Sequence, residues 1–398
     1  MKSLDTKYDL DFVKNHAFET MEFYLPGCID KNNGGYYQGY LRDSEIYERK
    51  TKDLIGTTRF IVDFSLLELF QKSNEYLELI EHGLEFLFDE HKDRKYGGYF
   101  QRVKGSNPVK GGRKKTYSHA FVLLALAVAY KAGLHEVGSE IEDIYELLEE
   151  AFWENKYGLY ATESNRKFTE LSSYRGQNAN MHMVEALIAI YEATEKKEYI
   201  DRALTVAEKV TGELAKKAEG LVWEHYDSNW ELNPGYNKED PENIYRPFGF
   251  LPGHQIEWAK LLLILKRHKS KGWLYKRAKR LFSAALKYGR DETHGGIFYT
   301  FDFDREIINE DKYYWVHAEA IPTAFLLWLR TNREKYFKLY EKFWDYSLTN
   351  LVDSENGAWY RVLSRSGKPK EKKKSIPGKT DYHVINACYE IFRSYQLE

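Results

Sequence analysis

The sequence predicts an all-α fold, an (α/α)6 barrel of about twelve helices in an inner and an outer ring, with short β-hairpins at one rim. Three observations carry this expectation. A glycine motif recurs along the whole chain at a nearly constant interval. The stretch between two motifs has room for two helices. Within each pair the first helix is apolar on every face and the second is amphipathic.

The motif reads GGYY at Gly34, GGYF at Gly97, GLYA at Gly158, GLVW at Gly220, GGIF at Gly295 and GAWY at Gly357. Counted from Gly35, Gly98, Gly158, Gly220, Gly296 and Gly357, the intervals are 63, 60, 62, 76 and 61 residues. Five intervals define six units. The long fourth interval carries its excess in residues 227–250, a Pro/Asn/Asp-rich stretch that reads as an inserted loop. The glycines themselves read as tight turns and short hairpins.

A helix near residues 10–24 opens the chain. The apolar segment 58–70 follows, then the amphipathic 74–90. YSHAFVLLALAVAYKAG (117–133) is again apolar, and EVGSEIEDIYELLEEAFWE (136–154) places apolar residues near i, i+3, i+4 and i+7. The alternation continues with apolar 178–193, 253–265, 315–329 and 382–394, interleaved with amphipathic 198–215, 272–288 and 334–348. Fully apolar helices belong in an inner ring and half-polar ones outside it. An open solenoid uses the same units. Closure is expected because six hairpins suffice for a barrel and no polar capping repeat is evident. One domain, residues 1–398, results.

Composition narrows the function. Of 398 residues 43% are hydrophobic and 30% charged, enough for a large core and a solvated surface, which excludes a disordered chain. The longest apolar stretch, 120–130, is far short of the roughly 20 residues of a membrane span, and MKSLDTKYDLDFV has no apolar segment of a secretory signal. Lys+Arg 59 against Asp+Glu 61 gives a net charge of −2, so no basic excess points to nucleic acid. The run KPKEKKK (368–374) reads as a solvated loop. Two cysteines, Cys28 and Cys388, build neither a disulfide framework nor a zinc site, and a reduced, cytoplasmic compartment is expected. Neither HExxH, an EF-hand loop, CxxC, GxGxxG nor a P-loop occurs, so neither a metal nor a nucleotide cofactor is expected. Aromatic residues reach 16%, and their faces suit sugar rings as well as a core.

Polar residues gather near the starts of the inner helices, where a common rim would bring them together. They are Arg59; Tyr117 and His119; Asn178, His182 and Glu185; His254 and Glu257; Trp315, His317 and Glu319; and Asp381 and His383. His254 follows Pro252 and Gly253, so it falls in a first turn with Glu257 one turn on. The helix dipole favours a neutral imidazole there, the form a general base needs. His383 is placed alike, with Thr380 or Asp381 able to cap. His182 shares a polar stripe with Asn178 and Glu185, which is a hydrogen-bonded network or a site. Arg59 calls for an anion, a hydroxyl-rich partner or a glutamate. Trp315 reads as core or as a stacking platform. His119 and His317 read as structural, His91 and His294 as loop residues.

PGHQIEW, RGQNANMHMVEA, WVHAEA and the closing DYH together resemble the N-acylglucosamine 2-epimerase superfamily, in order from about Arg59 to His383. That superfamily holds N-acylglucosamine 2-epimerases, cellobiose 2-epimerases and mannose/sulfoquinovose-type aldose–ketose isomerases. The resemblance implies the same barrel, a small sugar substrate, and proton transfer beside a sugar carbonyl without metal or redox cofactor. It implies His254 and His383 as the acid/base pair and His182 as the group that helps open the ring. Arg59 and Asn178 would bind hydroxyls and steady the enediolate oxygen. Glu257 and Glu319 would orient histidines or bind hydroxyls, and Tyr117 and Trp315 would wall the pocket. With Glu185, these seven are the candidate substrate-binding residues.

KTYSHAFVLLALA and GKTDYH resemble the isomerase branch, with Ser118 where glycine is usual and Thr380 for proline, while WVHAEA is closer to the epimerases. An aldose–ketose isomerase is therefore expected ahead of a 2-epimerase. A glycoside hydrolase would instead use two carboxylates, Glu257 and Glu319, and a non-catalytic scaffold would need neither histidine. No membrane or nucleic-acid partner is expected; the chain acts as monomer or homodimer.

Overall fold

The computed structural model describes residues 4–105, 107–109 and 112–397; the first three residues of the N-terminal stretch lie outside it. Its helices are, in chain order, α1 Leu10–Glu22, α2 Leu54–Gln71, α3 Leu77–Phe86, α4 Thr116–Lys131, α5 Gly138–Phe152, α6 Gln177–Thr194, α7 Lys197–Glu208, the one-turn α8 Ala215–Lys217, α9 Pro252–His268, α10 Gly272–Gly289, α11 Tyr314–Thr331, α12 Glu334–Tyr346 and α13 Tyr382–Gln396. The expected alternation holds. Helices α2, α4, α6, α9 and α11 are buried along almost their whole length, while α3, α5, α7, α10 and α12 bury one stripe. Each inner helix packs on the next, from α2 through α4, α6, α9, α11 and α13, and α13 packs on α2 again.

Helix ends differ from expectation by a few residues. Helix α2 starts at Leu54 rather than 58, because the Asp53 side chain caps it by accepting the Ile55 N–H at 3.0 Å. The amphipathic segment 74–90 is helix only from Leu77, and it ends in a π-helical turn, Leu87–His91. Similar wide turns, Lys209–Leu214 and Ser347–Leu351, extend α7 and α12.

Short strands close the ring. The strand leading into each inner helix pairs with the hairpin beyond the next outer helix. Thr51–Asp53 pairs with Arg102–Lys104, Lys114–Lys115 with Glu163–Ser164, Arg175–Gly176 with His225–Tyr226, and Lys312–Tyr313 with Val362–Leu363. Phe250 bridges to Phe301 in the fourth unit. The last strand, Lys373–Ser375, returns to the first unit, with Ser375 opposite Tyr40. A solenoid has no such return.

An ion pair ties turn to strand in five units, buried in all but the third, where Glu154 is half-buried: Asp30–Lys52 at 2.7 Å, Asp93–Lys114 at 3.1 Å, Glu154–Arg175 at 2.7 Å, Asp291–Lys312 at 3.0 Å and Asp353–Lys374 at 2.8 Å. Lys374 thus corrects the reading of its run as wholly solvated. It is fully buried, because the strand it sits on carries it under the Gly357 turn.

The fourth residue of several inner helices pins the glycine turns. His119 Nε2 accepts the Tyr99 N–H at 3.0 Å and His317 Nε2 accepts the Ile297 N–H at 3.0 Å. Their Nδ1–H groups point to the carbonyls of Lys115 and Tyr313, and burial pushes both imidazoles down to about 4. Asn180 and Gln255 hold Tyr160 and Val222 in the same way. His119 and His317 are structural, as the sequence indicates. His91 is not a loop residue: it is buried, between the Phe100 carbonyl at 3.0 Å and Thr57 at 3.2 Å. Among the described residues no helix is long and apolar enough to cross a membrane.

Candidate active site

Because every inner helix starts at the hairpin rim, the first turns of all six converge there. Three histidines on three helices use one device. His254 of α9 donates Nδ1–H to Glu224 Oε2 at 2.9 Å, His383 of α13 to Glu319 Oε1 at 2.8 Å, and His182 of α6 to Glu185 Oε2 at 2.8 Å. In each ring Nε2 is the nitrogen left to take a proton. Trp315 lies between two of them, with ring centroids 5.2 Å from His254 and 5.7 Å from His383. It is half-buried, packed against the core on one side and not enclosed by it. Gly253 makes this possible: a Cβ there would meet the indole at 2.4 Å.

The carboxylates are held in turn. Gln177, fixed by Trp258 Nε1 at 2.6 Å, donates to Glu224 Oε2 at 2.9 Å. Glu185 accepts from the Tyr382 hydroxyl at 2.7 Å and from Asn386 at 3.1 Å. Burial raises Glu185, but His182 and Lys260 outweigh it and hold the group well below the usual carboxylate range. Glu257 is the opposite case. Burial and then the Glu319 charge push it well up, and its Oε1 has no hydrogen-bond partner, 4.0 Å from His182 Nδ1. Glu319 Oε2 is ion-paired to Lys260 at 2.5 Å.

Arg59 sits in the second turn of α2, not the first, and is 1% exposed. It donates to the Gly378 carbonyl at 3.1 Å and the Tyr117 hydroxyl at 3.3 Å, between the rings of Phe121 and Tyr382. Among the described residues it forms no ion pair, so the glutamate partner considered from sequence is absent, and its Nε has no hydrogen-bond partner. Tyr117 also packs edge-on against His182, centroids 4.9 Å apart. Asn178 is half-buried, with an unpartnered Oδ1. Asp381 does not cap α13: its carboxylate accepts the Tyr24 hydroxyl at 2.6 Å instead. His294 lies exposed on its turn.

Of the ten catalytic and substrate-binding candidates all but Asn178 are joined in one contact network, while His119, His317 and Asp381 have other partners. Sequence reasoning missed four members: Glu224, Gln177, Lys260 and Tyr382. Glu224 follows a glycine motif directly, and Lys260 is a lone cation inside an apolar helix; both were visible signals. Donor atoms of His182, Glu185 and Glu257, and of Glu257, Glu319 and His383, lie within 4.8 Å of one another, the spacing of a cation site. Hydrogen bonds pair four of these five residues, His182 with Glu185 and His383 with Glu319, while Glu257 Oε1 has no partner.

A family model described as N-acylglucosamine 2-epimerase matches residues 35–387. A D-mannose isomerase from Marinomonas mediterranea is 40% identical over 387 residues, 97% of this chain and 98% of that protein. A cellobiose 2-epimerase from Eubacterium cellulosolvens is 26% identical, covering 92% and 93%. A crystal structure of D-mannose isomerase superposes with a TM-score of 0.94 at 40% identity, covering 99% of this chain and 100% of that one.

Proposed function

The chain belongs to the N-acylglucosamine 2-epimerase family and is a sugar aldose–ketose isomerase, and on that premise we propose that it interconverts D-mannose and D-fructose, with His254 and His383 as the acid/base pair. The observation that carries the reading is the pair itself: two buried imidazoles on different helices, each anchored at Nδ1 by a carboxylate and flanking Trp315.

The chemistry follows from those groups. The pyranose must open, which requires a proton to leave O1 and one to reach O5; His182, beside Tyr117, serves that step. One histidine of the pair then takes the C2 proton of the open-chain aldose, giving a cis-enediolate. The same base returns that proton to C1, while the other histidine takes the O2 proton as the carbonyl forms at C2 and delivers it to O1, which becomes the C1 hydroxyl of the ketose. Arg59, ion-paired to no carboxylate among the described residues although Asp63 and Glu257 lie close enough to feel its charge, stabilises the enediolate oxygen, a contribution worth several kcal/mol in a dry site. Asn178, Glu185 and Glu257 bind hydroxyls, and Tyr117 and Trp315 wall the pocket. Electrons end where they began, so no redox cofactor is called for. The ring acts as one catalytic domain, with residues 227–250 inserted at its rim.

A 2-epimerase is the second reading, favoured by the cellobiose 2-epimerase relative: the same enediolate reprotonated at C2 from the other face gives the epimer. Proton NMR in D2O with D-mannose separates the two. Fructose deuterated at C1 is expected, lost by at least about a hundredfold in His254→Ala and His383→Ala with folding retained. Glucose deuterated at C2 would select the epimerase, and no exchange into either sugar would overturn both.

A further inference from the structure

Lys260 occupies the third turn of α9, in the run AKLLLILK, and is 2% exposed. A buried ammonium is costly unless it is paired, and the leucines around it need no charge. Its partner is Glu319 of α11, at 2.5 Å, and the other oxygen of that carboxylate takes the His383 Nδ1–H at 2.8 Å. We propose that Lys260 is a positioning residue for the reaction: its ammonium keeps Glu319 a carboxylate, and that carboxylate keeps the His383 ring oriented with Nδ1 protonated and Nε2 basic. The inference rests on the reading of His383 as one of the acid/base pair.

The surroundings show why a cation is needed. Three buried carboxyl groups crowd this floor: Glu319 of α11, Glu185 of α6 and Glu257 of α9. The other charged or titratable groups facing them are Arg59 of α2, His182 of α6, and His383 with Tyr382 of α13. Burial raises Glu319 above the usual carboxylate range; Lys260 is the main group opposing this, and Glu185 adds to the rise. Without the ammonium, Glu319 takes up a proton nearer neutrality. A neutral Glu319 neither stabilises an imidazolium at His383 nor fixes its tautomer.

The test is the pH dependence of kcat for the full chain with D-mannose, from pH 5.5 to 9, in wild type, Lys260→Met, Glu319→Gln, the double variant and His383→Ala, with folding checked by circular dichroism. Lys260→Met is expected to lose about tenfold at pH 6.5 and to recover as pH rises, its acid limb moved up by about one unit or more. Glu319→Gln is expected to lose activity equally at all pH values, and the double variant to be no worse than Glu319→Gln alone. An acid limb that stays where wild type has it, or a double variant with multiplied losses, would falsify the positioning role. If Lys260→Met does not fold, Lys260→Gln against Lys260→Arg decides the same point, with the limb shifted only in the former. Activity surviving in His383→Ala would sink the underlying reading instead; an inactive His383→Ala beside an unshifted Lys260→Met sinks the positioning role alone.

Discussion

Burial keeps the His383 imidazole uncharged. Desolvation pushes it well below the ordinary value, and Arg59 and Lys260 push it further, with Glu185 opposing. His182 is lowered for the same first reason. A free imidazole titrates near 6.5, so the His383 ring signals in an NMR titration are expected to stay flat from pH 6 to 8. An inflection near 6.5 would mean that water reaches the ring. At this scale the positions of His254 and His383 in first turns were legible, because Pro252–Gly253 and the GKTD stretch mark the helix starts. The sequence was a poor guide to their partners. Glu224 reaches His254 from a hairpin 30 residues upstream, a contact no local pattern encodes, and Asp381 sits where a cap belongs yet turns to Tyr24.

Among the elements, the glycine hairpins and the inner helices depend on each other. Gly98 has a positive φ of 63°, and a Cβ there would meet His119 Nε2 at 2.6 Å, whereas a Cβ on Gly97, at φ 78°, would find only Leu147 at 3.7 Å. Gly97→Ala is therefore expected to cost only the left-handed conformation, about 1–2 kcal/mol. Gly98→Ala adds the loss of the buried Tyr99-to-His119 hydrogen bond, for about 2–5 kcal/mol in all. Denaturant unfolding of the two variants checks the order; equal losses would mean His119 gives way freely. The helices were legible because an apolar run and an amphipathic stripe are sums over many residues. Their ends were less so: the π-helical turn Leu87–His91 and the Asp53 cap depend on single contacts. The two-residue strands are too short to leave a pattern at all.

In the whole molecule the recurring ion pairs also carry a pH signature. Burial opposes ionisation of Asp30, Asp93 and Asp291, but Lys52, Arg166 with Lys114, and the His294 N–H with Lys312 hold them at about 2. A carboxylate depressed in this way gives stability that is present above its unfolded value near 4 and is lost as pH falls toward 2. Denaturant midpoints are expected to fall steeply across that window. Asp93→Asn, which strands Lys114, should cost about 3–5 kcal/mol at pH 7 yet lose less between pH 4 and 2; an equally steep fall would remove Asp93 from the account. The acid-to-base spacing of 21 residues in four units and 22 in the first was present in the sequence as plainly as the glycines. It passed unread because a charge gives no hint of burial until the hairpins that enclose it are known.

Ring closure through Tyr40 and Ser375 has a thermodynamic consequence. A linear array of repeats frays from its terminal units, which have a neighbour on one side only. Here the first and last units are each other's neighbours, so no unit is terminal and none has a reason to open before the rest. Amide exchange in α2 and α13 is then governed by the same global opening as in α6, and the six hairpins melt as a single cooperative unit.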